Sequence, residues 1–190
     1  MKQDIYTIRL RCKRYVQRYL IYNYGCRDRE HPLMVEIRKD PQLREFINRA
    51  IKEPEARRDK WLSTFEGKKR NCEVEIRISA DQFVRHGWHL TMTDETKLNS
   101  LLEARCKSNL LTFLTLQFVI NENIETAIQM FYKKFGFSEK SWPSDSIRKI
   151  WSRRPVKNDI ALKNEFNGII TKIFMDKLSI DLDNLHTTIA

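Results

Sequence analysis

Two stretches of this chain alternate strictly between apolar and polar residues. In the first, Tyr6, Ile8, Leu10 and Cys12 point one way while Thr7, Arg9 and Arg11 point the other. In the second, Cys72, Val74, Ile76 and Ile78 alternate with Glu73, Glu75 and Arg77. Period-2 alternation is the mark of a strand with one face packed and one face in water. Between the two, the period changes to that of a helix. Tyr15, Val16, Tyr19 and Leu20 form one stripe, stopped by Gly25. Leu33 to Ile37 reads as a short second strand. Asp40 and Pro41 supply a cap and a first-turn proline for a helix carrying Leu43, Phe46, Ile47, Ala50 and Ile51. The charged span 53–70, with Pro54 and Gly67, reads as an exposed loop whose Trp61, Leu62 and Phe65 turn back to the core. Ser79 opens a short helix that ends near Gly87.

From residue 93 onward the pattern is helical. Thr93 is placed to cap a long helix, with Asp94 and Glu95 at the positive end of its dipole. Leu98, Leu101 and Leu102 begin its stripe. Leu110 to Ile120 is apolar on almost every side, which predicts a central, buried segment. Asn121 to Asn123 interrupt it. Ile124, Ala127, Ile128, Phe131 and Phe135 then share one narrow helix face, Gly136 ends that helix, and Phe137 can fold back as the apolar contact of the stop. After a loop from Ser138 to Pro143 that contains Trp142, Ser144 caps a helix with Ile147, Ile150 and Trp151 on its inner stripe; Pro155 closes it. Over 159–177, Leu162, Phe166, Ile169, Ile170, Ile173 and Phe174 share a face. The expected class is α+β. A small mixed α/β module spans 1–80, a helical module 81–155, and a C-terminal amphipathic helix with a tail 156–190.

Charge adds the functional hint. The net charge is +10, and it is uneven. Residues 1–30 hold eight basic against three acidic side chains, and residues 137–160 hold six against three. Two positive foci around an apolar centre suggest surfaces that face a polyanion. No apolar run approaches the ~20 residues of a membrane span, and the first residues contain no secretory apolar block, so a cytoplasmic chain without membrane contact is expected. Cys12, Cys26, Cys72 and Cys106 are dispersed and none lies in a CxxC, so reduced thiols are expected rather than a disulfide framework.

The helix after Pro143 carries the strongest constellation. At 100° per residue its inner stripe leaves Asp145, Lys149 and Ser152 on the opposite side, flanked by Arg148 and Arg153. Lys and Arg neutralise phosphates, Arg also grips a guanine edge, and Ser donates to phosphate or base. Ser144 and Ser146 lie at the helix start, where free amides can meet a phosphate. Lys140, Arg154 and Lys157 extend the basic rim. The segment AIQMFYKKFGFSEKSWPSDSIRKIWSRR, from Ala127 to Arg154, resembles the helix-turn-helix modules of bacterial and mobile-element DNA-binding proteins, although its loop after Gly136 is longer than the usual tight turn. That resemblance implies a non-enzymatic DNA-binding protein, a regulator or accessory factor of a phage or mobile element. Pairing of two copies through 159–177 would suit two half-sites on duplex DNA.

A second basic set consists of Arg9, Arg11, Lys13, Arg14 and Arg18, interleaved with Tyr15, Tyr19, Tyr22 and Tyr24; cations beside aromatic rings suit single-stranded nucleic acid. Two rivals remain. One is an adaptor whose basic surfaces meet an acidic protein. The other is a metal-dependent nuclease on the Glu73, Glu75 and Arg77 strand, for which Asp40 is the nearby further carboxylate. His86 and His89, and His31 with Cys26, lack zinc spacing, and none of the common nucleotide, metalloprotease or hydrolase motifs occurs. No cofactor, metal or catalytic group is expected.

Overall fold

The computed structural model describes residues 5–26, 31–38, 40–52, 70–121 and 123–154. Residues 53–69 of the exposed loop expected over 53–70, Lys157 and the helix expected over 159–177 lie outside the described residues; Arg70, the last residue of that loop, is buried rather than exposed. In chain order the elements are β1 (Tyr6–Cys12), α1 (Arg14–Tyr24), β2 (Met34–Val35), α2 (Pro41–Ala50), β3 (Ile51–Lys52), β4 (Cys72–Ile78), α3 (Ala80–His86), β5 (His89–Leu90), α4 (Met92–Asn121), α5 (Ile124–Phe135) and α6 (Ser144–Ser152). The class is α+β.

The two alternating stretches are the two long strands, and they pair with each other. β4 is the centre of a three-stranded sheet in the order β1-β4-β2. It runs antiparallel to β1 from Tyr6↔Ile78 to Cys12↔Cys72 and parallel to β2. This register puts Ile8, Leu10 and Cys12 beside Val74, Ile76 and Ile78 on one buried face. That face joins Val16, Tyr19 and Leu20 of α1 and Leu98, Leu102 and Cys106 of α4 in one core. Ala127, Ile128 and Phe131 of α5 and Ile147 and Trp151 of α6 belong to the same cluster, so the two expected modules share a single interior. β3 and β5 form a separate two-stranded ribbon. With two residues each, they are too short to show a period.

α4 is fixed along β1 by a polar ladder. Glu95, Asn99 and Glu103 recur every four residues and therefore share one side of the helix. The Arg11 backbone N–H donates to Glu95 at 2.7 Å, Asn99 Nδ2 donates to the Arg11 carbonyl at 2.8 Å, and Lys13 Nζ and the Tyr15 hydroxyl donate to Glu103 at 2.8 and 3.0 Å. Two of these bonds satisfy the backbone N–H and carbonyl of Arg11 on the outer edge of β1, which would otherwise be unpaired.

Several local expectations change. Gly25 does stop α1, but at φ −60 and ψ 133 it is extended rather than left-handed. Its role is spatial, because a Cβ there would run into the Ile21 carbonyl oxygen. The cap of α4 is Thr91, not Thr93: Thr91 Oγ1 accepts from the Asp94 N–H at 3.2 Å, and Thr93 already lies inside the helix. The apolar stretch of α4 is not buried on every side. Leu110, Phe113 and Leu114 are buried, while Leu111, Leu116 and Phe118 are half-buried. The caps at Asp40 and Ser79 form as expected, the latter as a reciprocal pair with Gln82. The four cysteines are free thiols, and burial pushes those of Cys12 and Cys106 well above the ordinary range.

Candidate nucleic-acid interface

The expected DNA-contacting helix depends on how α5 and its following turn are held. Asn123 Oδ1 accepts from the Glu125 and Thr126 N–H groups at 2.8 and 3.3 Å and starts α5. Gly136 ends it in the left-handed region, at φ 66. Phe137 then folds back and stacks on Phe131 at 5.0 Å, as the pattern predicts. Trp142 is 3% exposed and stacks on Tyr15 of α1 at 4.4 Å and 20°. The Tyr132 hydroxyl donates to the Trp142 carbonyl. The turn from Phe137 to Pro143 is therefore docked on the core, and α6 starts from a fixed point.

Ser144 does not cap α6. It is the first helical residue, and the cap position is Pro143. The Glu139 carboxylate supplies the missing acceptor: the Ser144 N–H donates to it at 3.0 and 3.1 Å, and the Ser144 hydroxyl at 3.1 Å. The backbone bond from Ser144 is the main cause that holds the Glu139 carboxyl below its ordinary value. The helix start expected to receive a phosphate is thus filled by the chain's own anion.

Along α6, Ile147 is buried, Trp151 nearly so, and Ile150 half-buried, which confirms the inner stripe. On the other side, Ser146, Lys149, Ser152 and Arg153 are exposed, with Lys140 exposed in the turn before. The Ser152 hydroxyl turns back to the Lys149 carbonyl at 3.1 Å. Arg148 is engaged rather than open. Its Nε and Nη2 grip the two Glu125 oxygens at 2.6 and 2.7 Å, and Nη1 reaches Asp145 at 2.6 Å. This fork ties α6 to the first turn of α5, raises the Arg148 pKa and pulls the Glu125 carboxyl below its usual range. Arg154 folds back as well, its guanidinium 3.2 Å over the Trp151 ring.

No family model, curated protein or solved structure matches this chain.

The second basic set is divided by the fold. Arg9, Arg14 and Arg18 are exposed, while Lys13 is tied to Glu103 at 2.8 Å. Arg9 lies 3.5 Å from Glu73. The interleaved tyrosines mostly serve the interior. Tyr15 stacks on Trp142, Tyr19 is buried, and the Tyr24 hydroxyl donates to Asp40 at 2.7 Å. Tyr22 is exposed, with its ring edge-on to Phe135 at 5.0 Å.

The carboxylates named for a nuclease do not converge. Asp40 caps α2 through the Leu43 N–H at 2.9 Å and is held by Arg105 at 2.5 Å and by Tyr24. Glu73 faces Arg9, and Arg77 faces Glu36. Among the described residues no group of three or more His, Cys, Asp or Glu is placed to hold a metal ion. None of the described helices is long and apolar enough to cross a membrane.

Glu125 and Glu139 escaped the sequence reading although they shape this surface. Glu125 meets Arg148 across 23 positions, and only the tertiary fold brings them together. Glu139 caps from five residues upstream, beyond the usual capping window.

Proposed function

We propose that this chain is a non-enzymatic DNA-binding protein that presents the outer face of α6 to a duplex. The observation that carries this reading is the division of α6 itself. Ile147 and Trp151 are locked into the shared core, and Lys149, Ser152 and Arg153 face water on the opposite side, with Lys140 beside them. A short helix held by packing and displaying cations on one side suits the phosphate backbone. Lys140, Lys149 and Arg153 neutralise phosphates, and Ser146 and Ser152 add hydroxyl contacts. Arg148 acts first as a strut between α5 and α6, and reaches DNA only by leaving Glu125. A regulator or accessory role on a phage or mobile element, with two copies on adjacent half-sites, fits this arrangement.

The test is the Lys149→Ala, Arg153→Ala double variant. Both side chains are exposed, so the fold should stand. Each lost phosphate contact takes about 0.9 from the slope of log affinity against log salt, so the double variant should bind a duplex more weakly with a slope flatter by about 1.8. Unchanged affinity with an intact circular dichroism spectrum removes the assignment. An excess of unrelated duplex separates the rival adaptor: it competes away DNA binding, whereas an acidic protein partner would stay bound.

A further inference from the structure

α1 carries a second row of cations. None of its 11 residues is acidic. Val16, Tyr19 and Leu20 face the core, and Arg14 and Arg18, four residues apart, are exposed on the opposite side. That spacing sets them about 6 Å apart along the helix axis. Tyr22 continues the row one turn further on. It is 49% exposed, and its ring is held edge-on to Phe135 at 5.0 Å.

Exposure alone would make these arginines ordinary solvated charge. Two observations set them apart. First, neither guanidinium is in an ion pair or hydrogen bond among the described residues. The acids that touch α1 are engaged elsewhere. Glu103, which accepts from the Tyr15 hydroxyl, holds Lys13 at 2.8 Å, and Asp40, which accepts from Tyr24, holds Arg105. Second, both arginines stand where they oppose the helix. Arg14 is the first residue of α1, at the positive end of the dipole, where an acid is favoured. Arg14 and Arg18 also repel each other at i,i+4. Helix stability therefore does not account for either one.

We propose that Arg14 and Arg18 form a second phosphate-binding row, which takes the backbone of the same duplex that α6 holds. This rests on the reading of the chain as a duplex-binding protein. Charge complementarity and continuity carry it. Two guanidinium groups one turn apart, without acidic neighbours, match a row of phosphates, and the Tyr22 hydroxyl can donate to the same backbone. Trp142 stacks on Tyr15, the residue after Arg14, and exposed Lys140 stands two residues before Trp142. The docked turn thus brings a cation of the α6 surface beside the start of α1, which favours one duplex over a separate acidic protein. Contacts of this kind add affinity and orientation, not base choice.

Anisotropy titration of a labelled duplex with the full chain, between about 50 and 200 mM salt, tests this. Arg14→Ala with Arg18→Ala should weaken binding and flatten the slope of log affinity against log salt by about 1.8, two phosphates at about 0.9 each. Arg14→Lys with Arg18→Lys should keep the slope, because the slope counts charge. The melting temperature of the alanine variant should not fall, since Ala is the better helix former and the repulsion is gone, so weaker binding is not a folding defect. Its loss should add to that of the Lys149→Ala, Arg153→Ala variant, which lies on a different helix. If the α1 alanine variant keeps the wild-type slope while the α6 variant loses its share, as when the arginines serve an acidic protein, the row is overturned and the α6 reading stands. If only the α1 variant weakens, the row stands and the α6 assignment falls. A chain that ignores the duplex at low salt removes both. A lysine variant as weak as the alanine one, or a loss confined to single-stranded oligothymidylate, also overturns the row.

Discussion

Trp142→Ala removes the ring on which the turn before α6 rests. Trp142 is 3% exposed, stacked on Tyr15 at 4.4 Å, with Phe137 at 5.8 Å and Phe131 edge-on at 6.1 Å. A tryptophan this buried withdraws about 150–250 Å² from water. At about 25 cal/mol per Å² that area is worth roughly 4–6 kcal/mol, an upper figure because the unfolded chain already buries part of it. Alanine retains the Cβ, and truncations of this kind cost about 3–5 kcal/mol, so we expect about 4 kcal/mol. Trp142→Phe keeps a ring against Tyr15 and should lose less than half as much. Urea unfolding followed by far-ultraviolet circular dichroism reads the change. With a slope of about 2 kcal/mol per molar, the midpoint should fall by about 2 M. A loss below about 1 kcal/mol would show that the turn is not packed on the core. A new partial transition at low urea would show that α5 and α6 unfold apart from the sheet. Either result refutes the single shared interior on which the fixed position of α6 depends.

Perturbations at four other positions test the local contacts of the fold. Asp40→Ala removes the cap of α2 together with the Arg105 and Tyr24 bonds and should cost about 2–4 kcal/mol in thermal unfolding. Burial pushes the Asp40 carboxyl up, but the Arg105 hydrogen bond, the Leu43 N–H and the Tyr24 hydroxyl outweigh it and hold the group below its ordinary value. Its stabilisation is therefore complete above an unfolded pKa of about 3.9 and is lost as pH falls through the folded one, so the stability gap between wild type and Asp40→Asn should close below about pH 4. Gly136→Ala meets nothing within 4 Å and should cost only the left-handed backbone term, about 1 kcal/mol. Gly25→Ala runs into the Ile21 carbonyl and should cost more, about 1–3 kcal/mol; melting temperatures in the reverse order contradict the spatial account of Gly25. Glu125→Gln removes the charge that parks Arg148, so duplex affinity should rise and the salt slope steepen by up to about 0.9 in an anisotropy titration. A slope that does not move would confine Arg148 to its role as a strut.

The parts of this fold that could be read from sequence are those whose packing repeats. β1 and β4 alternate over seven residues each, long enough for the period to appear, and they are the strands that pair. The stripes of α1, α2, α5 and α6 were legible for the same reason. β3 and β5 were not read, and Ile51 was placed on the stripe of α2 although it belongs to β3: a two-residue strand that directly follows a helix continues the helix's apolar spacing. Gly25 marked the right place for a different cause, since clash with Ile21 lies outside what residue preference reports. Thr91 was within reach: Asp94 stands three residues after it, the spacing of a cap, whereas Thr93 only adjoins the acidic pair. On the expected basic face Lys149 and Arg153 are exposed, whereas Arg148 is held by Glu125 and Arg154 lies over Trp151. Periodicity says which way Arg148 points, and it cannot say that Glu125 waits there. The N-terminal tyrosines show the same limit, because rings beside cations look alike in sequence whether they face bases or, like Tyr15, another ring of the core.

The most direct test of the account is the affinity of the unmodified chain for a labelled duplex across a range from about 50 to 200 mM salt. Among the described residues, Lys140, Lys149 and Arg153 are exposed on and beside α6 while Arg148 is held by Glu125, so three phosphate contacts are counted there and the account predicts binding whose logarithm falls linearly with log salt, at a slope of about −2.7 per chain from that face. A chain that leaves the duplex free at the lowest salt, or holds it with an affinity indifferent to salt, contradicts it.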